Sequence, residues 1–218
     1  HWSVFGADNI SISPSNEVLS IDDTGMVVSP MTQTTYTLTA ENEYGQVTAE
    51  AVVEVTLTDL DTSIIWPETL KQCVELAAQE NNWQYNEQVT DISCTGQKIE
   101  QFFGIDLYNN LRKLDLSDNY IEELNLGSSM PSRLEELYLG GNMISQISNI
   151  SQLSTLTHLD LSGNPVSEQS DIMNILENNK NITHLLLNDI VLTEVGFLGY
   201  PLPLEVLEIE NTGIRGIG

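Results

Sequence analysis

Positive charge is nearly missing from this sequence. Of 218 residues only 7 are Lys or Arg, against 32 Asp or Glu, a formal net charge of −25. The first basic residue is Lys71. With so few cations to neutralise phosphates, nucleic acid is excluded as a partner, and so are anionic membrane surfaces. A cationic partner, divalent cations or a salty environment fit this balance, and acidity by itself also keeps a chain soluble. Long apolar runs are missing too. None approaches the roughly 20 residues needed to cross a bilayer, so no direct membrane insertion is expected. Histidine is scarce at three, cysteine at two. No Ser/His/Asp nucleophile motif, phosphate-cradling glycine loop or HExxH is present, so no enzyme activity is expected. The chain opens on His1. The expectation is a fragment whose natural start, with any export signal, lies upstream.

What is present suffices for a core. Hydrophobic residues make up 40%, too many for wholesale disorder. Residues 1–57 read as β structure. Thr34–Ala40 and Gln46–Val55 alternate with period two and are rich in Thr, Val and Tyr. Glu41–Gly45 between them reads as a hairpin loop. Shorter strands upstream are broken by Pro14, Gly25 and Pro30, giving the pattern of a small antiparallel sandwich. The stretch "WSVFGADNISISPS…TGMVVSPMTQTTYTLTAENEYGQVTAEAVVEV" resembles the immunoglobulin-like modules repeated in bacterial surface proteins. The resemblance covers Trp2–Val55 and starts late, so a truncated Ig-like sandwich lacking its first strands is expected. It implies packing roles for Trp2 and Tyr36, and no catalysis.

Residues 58–66 read as a linker and 67–88 as a helical segment. Leu70, Cys73, Val74, Leu76 and Ala77 recur at helical spacing. Pro67 sits before the first turn, and Glu68 suits the positive end of the helix dipole.

From Val89 to residue 218 the chain repeats. Units start at 89, 111, 134, 156, 182 and 204, spaced 22, 23, 22, 26 and 22 residues apart. They share the frame L-x-x-L-x-L-x-x-N-x-I, a leucine-rich-repeat signature, and in-phase copies make it specific. The fourth and sixth positions, such as Leu114/Leu116 and Leu137/Leu139, must point inward, since only stacked neighbours can bury them. The expected fold is a solenoid with a curved parallel sheet and a helical or 3₁₀ convex side. Ninth-position Asn119, Asn142 and Asn164 turn the chain out of each strand and pair with buried backbone. Gln97 and Thr212 are polar stand-ins. Ile190 breaks the series, so a local distortion or a different turn is expected there. The return after the third unit, with Ile147, Ile150 and Leu153 inward, reads as 3₁₀ or short helical turns. "SEQSDIMNILENN" reads as an α-helix capped by Ser170, and the apolar "TEVGFLGYPLP" as irregular.

This region, from about residue 66, resembles the internalin-like group of bacterial surface proteins. In many of these a helical N-terminal cap precedes the first repeat, and "LKQCVELAAQENNWQYNEQVTDISCTGQKIEQFFGI" looks like that cap and first unit. The resemblance implies an extracellular or cell-surface location and adhesion by protein binding. One departure is order: here the β module precedes the repeats, so receptor choice does not carry over. Cys73 faces the core side of the helix and Cys94 takes an inward sixth position. A disulfide, implying an oxidising compartment, and two buried free thiols are the alternatives.

Residues between the inward leucines face the concave surface. The third positions are Asp91, Lys113, Glu136, His158, His184 and Val206. The fifth are Ser93, Asp115, Tyr138, Asp160, Leu186 and Glu208, and the seventh Thr95, Ser117, Gly140, Ser162, Asn188 and Glu210. Tyr138 and Leu186 inside a charged rim have the composition of a protein-binding hot spot. The candidate ligand-binding set is Lys113, Asp115, Glu136, Tyr138, His158, Asp160, His184, Leu186 and Glu208. His158 and His184 come from the twin stretches "LTHLDL" and "ITHLLL". They are the same turn of two neighbouring units. With Asp160 they could hold Zn²⁺, but repetition of a solvated position explains them as well, and no metal or cofactor is expected. Asp22 and Asp23 lack the spacing of a calcium loop, and a solvated turn is the simpler reading. Two functions fit: a binding or adhesion segment presenting the concave face to a protein or glycan, or a structural spacer in a large extracellular protein, its acidity available to Ca²⁺.

Overall fold

One inward leucine or isoleucine between two outward residues makes a three-residue strand, and six such strands build the main sheet. In the computed structural model these are β4 (Asp91–Ser93), β5 (Lys113–Asp115), β7 (Glu136–Tyr138), β9 (His158–Asp160), β10 (His184–Leu186) and β11 (Val206–Glu208), all parallel and in chain order. The structure describes residues 1–15, 19–28, 30, 32–125, 130–148, 154–166, 169–192 and 203–213. The repeats fall in the second of two units, Thr58–Gly218; the first is His1–Leu57.

Register stacks the leucines in rows. Ile92, Leu114, Leu137, Leu159, Leu185 and Leu207 are successive partners across the sheet. The first five are fully buried, and so are Leu116, Leu139, Leu161 and Leu187 one row over. Each such side chain contributes roughly 1.5–3 kcal/mol by leaving water. A second, two-stranded ladder runs along the return segments: β6 (Glu123–Asn125) pairs in parallel with β8 (Gln146–Ser148), Leu124 opposite Ile147. This corrects the expectation of 3₁₀ or helical turns after the third unit. Gln146 and Ser148 are exposed around buried Ile147, a strand alternation. Ile150 and Leu153 lie outside the described residues, as do "TEVGFLGYPL" and the final five residues.

The asparagine ladder is explicit. Asn119 Oδ1 accepts from the Gln97 and Ile99 amides, and its Nδ2 donates to the Cys94, Leu116 and Ser117 carbonyls. Asn142 and Asn164 repeat the pattern one and two units on. Thr212 is a buried stand-in whose hydroxyl donates to the Ile209 carbonyl; Gln97 is exposed and reaches only the Thr95 carbonyl. Buried Ile190 interrupts the side-chain ladder but not the turn, correcting the expectation of a distortion there. The Gly163 and Asp189 amides still bond to the next unit's carbonyls. The reason lies one residue earlier. The eighth position adopts positive φ in every unit: Gly96, Asp118, Gly141, Gly163, Asp189 and Asn211, between 56° and 68°. Gly, Asp and Asn are the residues that tolerate this region, so the fifth unit turns without its asparagine.

The convex helix is α2 (Gln169–Asn178), with Ile172, Ile175 and Leu176 buried at i, i+3, i+4. Ser170 lies inside its first turn and is not its cap. Ahead of the repeats, α1 (Glu68–Asn81) buries Leu70, Val74 and Ala78 and lies against β4, and a 3₁₀ turn follows at Asn86–Gln88. Leu76, expected on the inner face, is 59% exposed. At 100° per residue the stripe 70–74–78 leaves position 76 on the opposite side.

Within the first unit, β1 (Asn9–Ser13), β2 (Thr34–Asn42) and β3 (Gly45–Val53) form one antiparallel sheet with β2 central. Ile10 opposite Ala40 is its buried pair. The turn is held by the Tyr44 amide bonding to Asn42 Oδ1. Among the described residues of this unit no second sheet is present.

Candidate functional site

One outward side chain precedes and one follows each central leucine, so the sheet presents two columns on one face. Lys113, Glu136, His158, His184 and Val206 are successive partners in one, and Asp115, Tyr138, Asp160, Leu186 and Glu208 in the other. All but Glu208 are half-buried. The structure therefore brings the whole candidate set onto one surface, with Tyr138 and Leu186 on either side of Asp160.

The N-terminal half of this surface is tied together. The Tyr138 hydroxyl donates to Glu136 Oε2 at 3.0 Å, and Lys113 Nζ lies 3.7 Å from the same oxygen. The ammonium also sits 5.2 Å from the Tyr138 ring centroid, within range of a cation–π attraction. Partial burial, then this hydrogen bond and the charges of Glu136, Asp115 and Asp160, push the Tyr138 phenol up from 10.0 to about 12. The sign follows. The folded state holds this proton more tightly than the unfolded chain, so the contribution to stability is full below about pH 10 and lost as pH rises towards about 12. Ultraviolet titration of tyrosinate, wild type against Tyr138→Phe, should assign the phenol ionising near pH 12. Ionisation of that phenol near pH 10 would contradict the coupling to Glu136.

The C-terminal half holds the two histidines, stacked with ring centroids 4.0 Å apart and planes 16° from parallel. Each Nδ1 lies 2.9 Å from the hydroxyl of the preceding threonine, Thr157 or Thr183. Those hydroxyls donate their one proton to the Glu135 and Thr157 carbonyls. Each threonine hydroxyl thus sits between a backbone carbonyl and its histidine's Nδ1 and fixes the ring's place in the column. Asp160 Oδ1 meanwhile accepts from the Ser162 amide at 2.8 Å. Among the described residues, no three His, Cys, Asp or Glu are grouped to hold a metal ion. Asp160 has room because position 140 is glycine: a Cβ there would meet Asp160 Oδ2 at 2.9 Å. Residue reading missed the threonines, although "THL" is repeated as a unit of three.

Elsewhere, Asp23 Oδ2 accepts from the Ser20 amide and the Asp22 amide bonds Ser20 Oγ, a self-contained turn. Cys73 and Cys94 are joined by a disulfide, Cα atoms 5.9 Å apart, so α1 is covalently fixed to the first repeat. No described helix is long and apolar enough to cross a membrane.

Comparison with known proteins agrees with the repeat reading. Residues 109–166 match a family model described as Leucine rich repeat, and residues 155–179 a second one, Leucine Rich Repeat. No curated protein matches the chain. Among solved structures it is similar to the functional domain of InlJ from Listeria monocytogenes, which includes a cysteine ladder. That match has 24% identity and a TM-score of 0.50 over 62% of this chain and 29% of the other. Internalin InlF from the same organism gives 22% and 0.47 over 59% and 45%, and internalin C2 19% and 0.49 over 72% and 80%. The chain thus spans less than half of the first two. The InlJ likeness shows a shared leucine-rich-repeat fold.

Proposed function

We propose that this chain is a non-enzymatic binding segment of a bacterial surface or secreted protein, and that the concave face of its repeats docks a protein or glycan. The observation that supports this best is the Lys113–Glu136–Tyr138 cluster. Its side chains hold one another in place, so a partner meets a preorganised surface and little rotamer entropy is lost on binding. Leu186 and the two stacked histidines extend the same surface. In this reading α1 is the helical cap of six units starting at 89, 111, 134, 156, 182 and 204. Residues 58–66 are the linker, and residues 1–57 belong to an Ig-like module. The disulfide fits an oxidising, extracellular setting.

The test is a screen of the intact chain against arrays of immobilised glycans and receptor ectodomains. At least one ligand should bind, and Tyr138→Ala with Leu186→Ala should weaken it at least tenfold, as loss of central anchors does. A screen without ligands favours the spacer reading. Ligands that bind the double variant as well as wild type would remove the concave face from the proposal.

A further inference from the structure

We infer that one flank of the repeats is a second docking surface, for a cationic polypeptide segment with interspersed apolar side chains. The surface follows the tenth position of each unit. Positions nine and eleven are buried: Asn119 and Ile121, Asn142 and Ile144, Asn164 and Val166, Ile190 and Leu192. The tenth residue between them points out of the core. There stand Tyr120, Met143, Pro165 and Val191, apolar in four consecutive units and all exposed; the tyrosine is 48% exposed, the methionine 51% and the valine 79%. None belongs to the core or to the half-buried shell around it.

Scattered exposed apolar residues need no explanation, but a contiguous row does. Contiguity here is set by the backbone. The Tyr120 amide bonds to the Ile99 carbonyl and the Met143 amide to the Ile121 carbonyl, so these two tenth positions ride on adjacent rungs about 5 Å apart, and Pro165 and Val191 follow at the same positions of units whose strands β7, β9 and β10 pair in register. Beside Met143 and Pro165, the eighth positions are Gly141 and Gly163, both exposed. The Asp118 carboxylate lies over Gly141, where a Cβ would meet its Oδ1, so negative charge stands directly beside Met143.

Charge selects the occupant. Asp118 and Glu122 flank Tyr120, Asp189 precedes Val191, and all three are exposed or at the surface turn; Lys98 stands alone at the N-terminal end. A second copy of this chain would bring the same acidic rim and a further net charge of −25, and like charges in contact disfavour it. A Lys- or Arg-rich segment gains from the rim, while its apolar residues cover the row. This surface follows the turn after each strand and is separate from the concave columns, so the two proposals stand or fall independently.

The experiment is selection of a phage-displayed random dodecapeptide library on the intact chain, counter-selected on a Tyr120→Ser, Met143→Ser, Val191→Ser variant. Circular dichroism checks that the variant is folded. Enriched sequences should be basic with interspersed apolar residues. The synthesised winner, followed by fluorescence anisotropy, should bind wild type at least tenfold more tightly than the triple variant and weaken with added NaCl. Its affinity for the Tyr138→Ala, Leu186→Ala variant should be unchanged. No enrichment, enrichment of neutral or acidic peptides, or equal binding to wild type and triple variant would overturn the inference. A loss confined to the concave variant would do the same.

Discussion

Replacing Asn119 with leucine should destabilise the repeat unit by about 3 kcal/mol, although the side chains are close in volume. The asparagine is 2% exposed, so water cannot take its place. Its carboxamide oxygen satisfies the Gln97 and Ile99 amides, and its nitrogen serves the Cys94, Leu116 and Ser117 carbonyls. Leucine leaves the Ile99 amide and the Cys94 and Leu116 carbonyls buried without these partners. Each orphaned group costs about 1–3 kcal/mol, and relaxation recovers part of the total. The fifth unit does carry an apolar ninth residue, Ile190, and there the Ile190 backbone amide itself bonds the Leu187 carbonyl, the counterpart of Leu116, at 3.4 Å. No such rearrangement is built around Asn119. Urea unfolding of Asn119→Leu, with an unchanged slope, reads the loss directly. A loss under about 1 kcal/mol, the range of ordinary surface changes, would show that the ladder is dispensable.

The contrast between Asn119 and Ile190 marks what could be read from residues alone. The rows of leucine and the concave columns follow from a period of about 22 residues, because stacking identical turns leaves those positions one orientation each. The turn itself was visible only in part. Asparagine at position nine stands out, whereas Gly, Asp and Asn sharing position eight look like three residues until their common positive φ unites them. The β6–β8 ladder was hidden because the spacing of three from Ile147 to Ile150 and Leu153 suggests a helical turn, whereas Leu124 and Ile147 pair only across the stack. Leu76 was misplaced because a stripe of buried residues fixes a helix face only when its neighbour is known. In the candidate site, the column of each residue was legible, but the sharing of Glu136 by Tyr138 and Lys113 depends on rotamers. The histidine orientation depends on threonines 26 residues apart, which pattern alone does not connect.

Breaking the bridge between Cys73 and Cys94 should cost about 3 kcal/mol and act first at the N-terminal end of the stack. The bridge closes a loop with a sequence separation of 21, and loop-closure entropy for that length is about 3 kcal/mol in the chain-entropy model. Position matters as much as magnitude. An interior strand such as β7 has a neighbour on both sides, β5 and β9; β4 has β5 alone and relies on α1 across its other side. Stacked repeats lose structure from their ends, since an end row has one interface to lose. The disulfide joins α1 to the first repeat at Cys94, which is 1% exposed, so α1 cannot leave while the bond is intact. The Cys73→Ala, Cys94→Ala variant should therefore melt roughly 6–12 °C lower than the oxidised wild type, given about 2–4 °C per kcal/mol for a unit of this size. Amide exchange should accelerate in α1 and β4 before β7. Dithiothreitol should lower the midpoint of wild type and leave the variant unchanged, which separates loss of the cross-link from repacking around the new alanines. A midpoint drop below about 2 °C, or exchange that accelerates equally in β4 and β7, would mean that burial of Leu70, Val74 and Ala78 holds α1 without the bond.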